Sequence, residues 1–128
     1  MTRYYDEIGS FERDNFFVIV DKTWEDLHVR DCFDDSVTDI EQLIEDIENG
    51  KYDWFMLRVR VMVDEHEMAS EYLGGCLYED AREVLTDGTA EDLISEALIT
   101  AKRDVYRMYK KFQELSFNID AEGVYAAE

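Results

Sequence analysis

The chain has 128 residues, 46 % of them hydrophobic and 13 % aromatic, which fits one globular domain with a buried core and excludes a disordered acidic tail. Its formal net charge of −19 argues against binding to DNA or to an anionic membrane, because both need a basic footprint on the protein. We therefore expect a single domain over residues 1–128, with loosely ordered ends at 1–12 and 117–128.

The first regular elements predicted along the chain are a strand and a short helix. The run FFVIV at residues 16–20 is short, β-rich and bounded by polar residues, which predicts a buried strand. A loop with one helical turn is expected next. Apolar residues then recur at three- and four-residue steps, which predicts an amphipathic helix capped by Thr38 with Glu41 and ended by Gly50. The apolar positions of this helix are Val37, Ile40, Leu43, Ile44 and Ile47.

A hairpin is predicted after the short helix. Residues 54–63, WFMLRVRVMV, alternate between two faces as a strand does. The tripeptide DEH at 64–66 is a turn signal, and EMASEYLGG at 67–75 is expected to return as the antiparallel partner. Gly74 and Gly75 predict a bulge or the close approach of another backbone. A short helix is expected over residues 79–85.

The last predicted element is a long helix. Thr89 and Asp92 form a capping signature, and one apolar stripe then continues for about seven turns. The stripe consists of Leu93, Ile94, Ala97, Leu98, Ala101, Val105, Met108, Tyr109 and Phe112. The whole order predicts an α+β fold, in which an antiparallel sheet of about three strands packs against the long C-terminal helix and a shorter acidic helix.

The most unusual stretch is DCFDDSVTDIEQLIEDIENG at residues 31–50, which holds eight carboxylates and no lysine or arginine. Glu41, Glu45 and Glu48 are neighbours on the helix surface, and each like-charge pair costs a few tenths of a kcal/mol. We expect this surface to bind a basic protein groove in place of nucleic-acid phosphates; the alternative is a solvated helix face. The predicted partner-binding residues are Asp31, Asp34, Asp35, Asp39, Glu41, Glu45, Asp46 and Glu48.

Two further surfaces have the composition of interfaces. One strand face mixes large apolar groups with arginine, as protein contacts do, and it consists of Trp54, Met56, Arg58, Arg60 and Met62. The alternative is that a second helix covers this face and that its arginines pair with nearby carboxylates. The exposed remainder of the long helix could pair with a copy of the chain; otherwise its stripe is the core face of the domain.

Metal binding and catalysis are weaker interpretations. His28, Cys32, His66 and Cys76 could supply a zinc site, and Asp31, Asp34 and Asp35 could hold Mg²⁺ or Ca²⁺, but no paired-ligand or EF-hand motif is present. Cys32 with His28 or His66 could form a catalytic pair, yet nothing marks a third group or an oxyanion hole. We expect a non-catalytic protein without metal or cofactor. The N-terminus lacks an apolar signal region, which predicts a cytoplasmic protein with free thiols.

The hairpin segment LRVRVMVDEHEMASEYLGGCLYED at residues 57–80, in a small and strongly acidic single-domain chain, resembles the small acidic proteins of bacteriophages and other mobile elements. Several of those inhibit host-defence complexes of the restriction or CRISPR type by placing carboxylates where DNA or guide-RNA phosphates would sit. The resemblance covers under a quarter of the chain and assigns no functional residue. It implies a host-cell cytoplasmic inhibitor. Because the late part of the long helix is basic, we expect one acidic face rather than an acidic surface all round.

Overall fold

The fold is a four-stranded antiparallel sheet with one long helix, seen in a computed structural model that describes residues 3–36 and 38–122. The strands β1 (Asp6–Arg13), β2 (Phe16–Trp24), β3 (Asp53–Val63) and β4 (His66–Tyr78) are neighbours in chain order. The helices are α1 (Ile40–Glu48) and α2 (Thr89–Glu122), and short 3-10 helices lie at Val29–Asp31 and Ala81–Leu85. The predicted α+β class is confirmed, with four strands instead of about three.

Strand β1 is the element that the sequence reading missed. Residues 1–12 were expected to be loosely ordered, but Asp6–Arg13 pairs with β2 along one edge of the sheet. An edge strand needs few apolar residues, and here Ile8 and Phe11 are the ones packed against the core. Two apolar residues in eight are too few to give a clear alternating pattern.

The core lies between one face of the sheet and α2. Along β3 the residues Phe55, Leu57, Val59 and Val61 are buried, as the predicted alternation requires. The first half of α2 contributes small and aliphatic side chains to the same cluster. Those helix residues are Ala90, Ile94, Ala97, Leu98 and Ala101.

The predicted β3–β4 hairpin is confirmed in its turn and in its bulge. Asp64 adopts a positive φ of 52° in the turn. The pairing register shifts between Phe55 and Leu57, opposite Gly74 and Gly75, and Gly75 has a φ of 68°. This bulge therefore uses the conformational freedom of glycine.

The end of α1 is as predicted, and its start is shifted by one residue. Gly50 is left-handed, with a φ of 81°. Its N–H donates to the Ile47 carbonyl at 3.1 Å, and the Lys51 N–H donates to the Asp46 carbonyl at 2.8 Å, which is a Schellman ending. The N-cap is Asp39 rather than Thr38, because the Asp39 carboxylate accepts the Gln42 N–H at 3.1 Å. Val37 lies outside the described residues.

The start and the exposed half of α2 differ from expectation. The side chain that accepts a hydrogen bond from the first residue of α2 is Asp87 and not Thr89: the Asp87 carboxylate accepts the Thr89 N–H at 2.9 Å. The Thr89 hydroxyl instead lies 2.8 Å from the Tyr78 hydroxyl. The apolar stripe is buried only as far as Ala101. The helix itself continues to Glu122, within the end expected to be loosely ordered, and residues 123–128 lie outside the described part.

No helix among the described residues is long and apolar enough to cross a membrane.

Candidate acidic binding surface

Helix α1 lies outside the main core and packs against the 3-10 helix Val29–Asp31. Its apolar face is small: Ile40 and Leu43 are buried on α1, and Val29 is buried on the short helix. The polar side of α1 is thereby left facing solvent.

The loop before α1 is fastened to the sheet by Trp54 and Glu25. The Trp54 indole N–H donates to the Leu27 carbonyl at 3.0 Å, and its ring lies 6.0 Å from that of Phe33. The Glu25 carboxylate accepts the Gly75 N–H at 2.6 Å, so the bulge in β4 provides a donor for the loop. Trp54, predicted as an interface residue, thus contacts the loop that leads to α1.

Four of the eight predicted carboxylates line one shallow hollow along α1. Glu41, Glu45 and Glu48 recur at four and three residues and are exposed on the same side of the helix, with Asp39 at its start. The structure therefore brings together the three glutamates that the helical spacing had grouped. Asp35 lines an adjoining hollow with Asp39 and Glu41.

The only cation that lines these two hollows is Arg30, within the described part of the chain. Its guanidinium forms an ion pair with Glu41, and this hydrogen bond raises the pKa of Arg30 above its usual value. Asp35 adds to the same effect by its charge. Arg30 thus neutralises one end of the surface, and Glu45 and Glu48 have no ion pair with any of the described residues.

The other three predicted carboxylates do not line either hollow. Asp46 is half-buried on another side of α1, where it accepts from the Gln42 amide at 2.9 Å and lies 4.0 Å from the Lys51 ammonium. Asp34 accepts the Ser36 N–H at 2.9 Å and the Ser36 hydroxyl at 2.8 Å, which lowers the pKa of Asp34. Asp31 lies on the 3-10 helix. Local turn geometry separates Asp31 and Asp34 from the row, whereas Asp46 is separated by its position on the helix.

In the second predicted interface, two arginines pair with a carboxylate of the same domain. Arg58 donates to both oxygens of Asp21 at 2.8 and 2.7 Å, and Arg60 donates to Asp21 at 3.3 Å. Burial opposes the charge of Arg58, but the Asp21 carboxylate more than offsets it, and the net result is a raised pKa for Arg58. The Tyr5 ring lies 3.3 Å from the Arg58 guanidinium carbon. Asp21, only 2 % exposed, is the residue that sequence reasoning missed.

Of the alternative interpretation of this face, the pairing of its arginines with a carboxylate is confirmed, whereas no second helix among the described residues covers the face. Helix α2 packs on the opposite face, and α1 packs on the short helix Val29–Asp31. Met56 and Met62 are half-buried here, while Phe17 and Tyr72 are 41 % and 50 % exposed. Sequence reasoning could not find Asp21, because it is the register of β2 and β3 that sets Asp21 opposite Arg58.

The residues considered for metal binding or catalysis lie apart. His28 accepts the Arg30 N–H through Nδ1 at 3.1 Å, whereas His66 begins β4. Cys32 is exposed and Cys76 is buried, both as free thiols, and burial raises the pKa of Cys76 to about 11. Among the described residues, no three His, Cys, Asp or Glu side chains are placed to hold a metal ion.

Comparisons of this chain with protein-family models, with curated proteins and with solved structures gave no match.

Proposed function

We propose that the protein is a non-catalytic binding protein whose α1 surface occupies a basic, nucleic-acid-binding groove on another protein. The observation that carries the proposal is the row of Asp39, Glu41, Glu45 and Glu48 along one hollow of α1, a helix that lies outside the main core cluster. Like charges at these spacings destabilise the helix, so their presence on one side is better explained by a cationic partner than by folding.

The spacing of the row suits a groove built for phosphates. At about 1.5 Å of rise per residue, the four carboxylates from Asp39 to Glu48 span about 13 Å of the helix axis. One strand of B-DNA places four phosphates over about 10 Å. Lysines and arginines that normally follow a phosphate strand would therefore meet negative charges on α1, at a density similar to that of the phosphates.

A protein partner fits this surface better than a metal ion or a nucleic acid. The glutamates are spread along a helix instead of converging on one point, as the oxygens around Ca²⁺ or Mg²⁺ must. Nucleic acid would be repelled by a chain of net charge −19. Restriction and CRISPR effector complexes have long basic grooves of the required kind, and they are the partner class that we propose.

The test is capture from bacterial lysate with the purified chain as bait, at about 0.1 M and about 0.5 M salt, followed by competition against the captured complex's own nucleic acid. The attraction is screened beyond about 10 Å at 0.1 M salt, so we expect capture at the lower concentration and loss at the higher one. Added chain should displace the nucleic acid from the captured complex.

A matched pair of variants separates the α1 surface from net charge. Glu41→Gln with Glu45→Gln and Glu48→Gln removes three of the four carboxylates of the row. Gln at three other exposed glutamates removes the same charge elsewhere on the protein. The control positions are Glu65, Glu83 and Glu96. We expect only the α1 variant to lose the partner. Equal loss in both variants, or capture that resists salt and is not displaced by nucleic acid, would refute the proposal.

A further inference from the structure

The second half of α2 carries an apolar stripe that the domain leaves uncovered. Helix α2 packs on β3 and β4, and the apolar side chains of its packed face are buried or partly buried as far as Ala101. Beyond that residue the same helical face continues without interruption, but its side chains are between 37 % and 58 % exposed. They are Val105, Met108, Tyr109, Phe112 and Leu115.

This stripe has the spacing of a coiled-coil seam. Val105, Met108, Phe112 and Leu115 alternate at steps of three and four residues, which places them at successive a and d positions. The cations of the segment lie elsewhere on the helix, as the seam pattern requires. Arg103, Arg107, Lys110 and Lys111 fall at the c, f and g positions of the same heptads, and Lys102 falls at an e position.

The ends of the two hairpins flank the seam and enlarge it. On one side Val63, His66 and Met68 line an apolar hollow with Val105 and Met108. On the other side Phe16 and Tyr106 line a second hollow, which shares Val63 and Val105 with the first. The exposed apolar side chains together present about 500 Å², a patch of the size that marks interaction sites.

We propose that this seam binds the same seam of a second copy of the chain, with the two α2 helices antiparallel and crossing near Phe112. This proposal does not depend on the function proposed for α1. The antiparallel direction follows from the fold: the sheet already covers this helical face up to Ala101, so a second helix has room only alongside the later residues. A parallel copy would place its own sheet in the space that the first sheet occupies.

The spacing and the area favour a second copy as the occupant. A coiled-coil seam packs against a helix with the same a and d spacing, and α2 of a second copy supplies such a helix. Two such patches would bury about 1,000 Å² of apolar surface, near the lower bound for a specific interface.

The first measurement is the molar mass by sedimentation equilibrium from about 1 μM to about 100 μM protein. The chain has a mass of 15.1 kDa, and we expect the average to rise towards twice this value with concentration. Met108→Glu with Phe112→Glu should keep the chain monomeric throughout. Arg107→Gln with Lys110→Gln makes the same change in charge on the opposite side of the helix and should leave the dimer intact. Unchanged circular dichroism would show that both variants are folded.

The direction of pairing is tested by distances between spin labels. With Cys32→Ser removing the exposed thiol, the two labels at Gln113→Cys lie near the proposed crossing point, whereas the two labels at Arg103→Cys lie about 27 Å apart along the axis in an antiparallel pair. Equal distances at both positions would refute the antiparallel arrangement. A wild-type chain that stays monomeric at every concentration, or a dimer that survives in Met108→Glu with Phe112→Glu, would overturn the proposal.

Discussion

The two helices of this protein are attached to the sheet in opposite ways. The first half of α2 buries a continuous row of small and aliphatic residues against β3 and β4. Helix α1 buries Ile40 and Leu43 outside the main cluster and packs on a single 3-10 turn. The helix that stabilises the fold therefore carries few charges on its packed side, and the helix that carries the carboxylate row adds little to the core.

This difference explains how the chain can tolerate its repelling carboxylates. A like-charge pair costs a few tenths of a kcal/mol wherever it lies, but in α1 that cost weakens a local element and not the sheet. Salt should therefore have opposite effects on the stability of the fold and on the proposed binding by α1. Screening relieves self-repulsion and stabilises the fold, whereas it weakens the proposed attraction of α1 to a basic groove.

The largest effect is expected in the core half of α2. Ile94→Ala removes a side chain that is 2 % exposed and leaves a cavity, so the free energy of unfolding should fall by about 2–5 kcal/mol. Urea titration measures this loss. Ile99→Ala on the same helix is the matched control, because Ile99 is 67 % exposed and its loss should cost under about 0.5 kcal/mol. Similar losses at both positions would contradict the placement of the core.

A smaller and local effect is expected in α1. Leu43→Ala should speed hydrogen exchange of the α1 amides by about tenfold or more, because Leu43 is buried in the peripheral cluster. The amides of β3 should keep their protection. If β3 loses protection to the same extent, then α1 belongs to the main cooperative unit and the contrast between the helices is wrong.

Removal of the N-cap of α1 is expected to destabilise the helix by a still smaller amount. Asp39→Ala removes the acceptor of the Gln42 N–H and should cost α1 about 1 kcal/mol, again seen as faster exchange of its amides. Asp39→Asn keeps an acceptor at that position and should cost little. If the two variants destabilise α1 equally, the carboxylate acts through charge and not as a cap.

The smallest effect concerns Asp80, which caps the 3-10 helix before α2. Hydrogen bonds from the Arg82 side chain and then its backbone N–H lower the pKa of Asp80 from 3.8 to about 2. A lowered pKa in the folded state stabilises the fold above pH 3.8, and this contribution disappears as the pH falls towards about 2. Asp80→Asn should flatten the stability profile in that window. Carboxyl titration by NMR checks the pKa; an ordinary value would refute this account.

The elements with strong local patterns were predictable from the sequence. The alternation of β3, the glycine end of α1 and the spacing of α2 each depend on residues within a few turns or on one strand. The grouping of Glu41, Glu45 and Glu48 followed from helical geometry in the same way. Local spacing fixes which side chains share a face.

Features that depend on distant residues could not be read in this way. Strand β1 forms because β2 offers an edge, and Asp21 is buried because the register of β2 and β3 sets it opposite Arg58.

The sequence by itself determined the α+β class, the amphipathic faces of both helices and the excess of negative charge. Only the tertiary structure decided that the stripe of α2 leaves the core after Ala101 and that α1 lies outside it. The physical reason is that periodicity records which residues lie on one face, whereas burial depends on how far the opposing sheet extends.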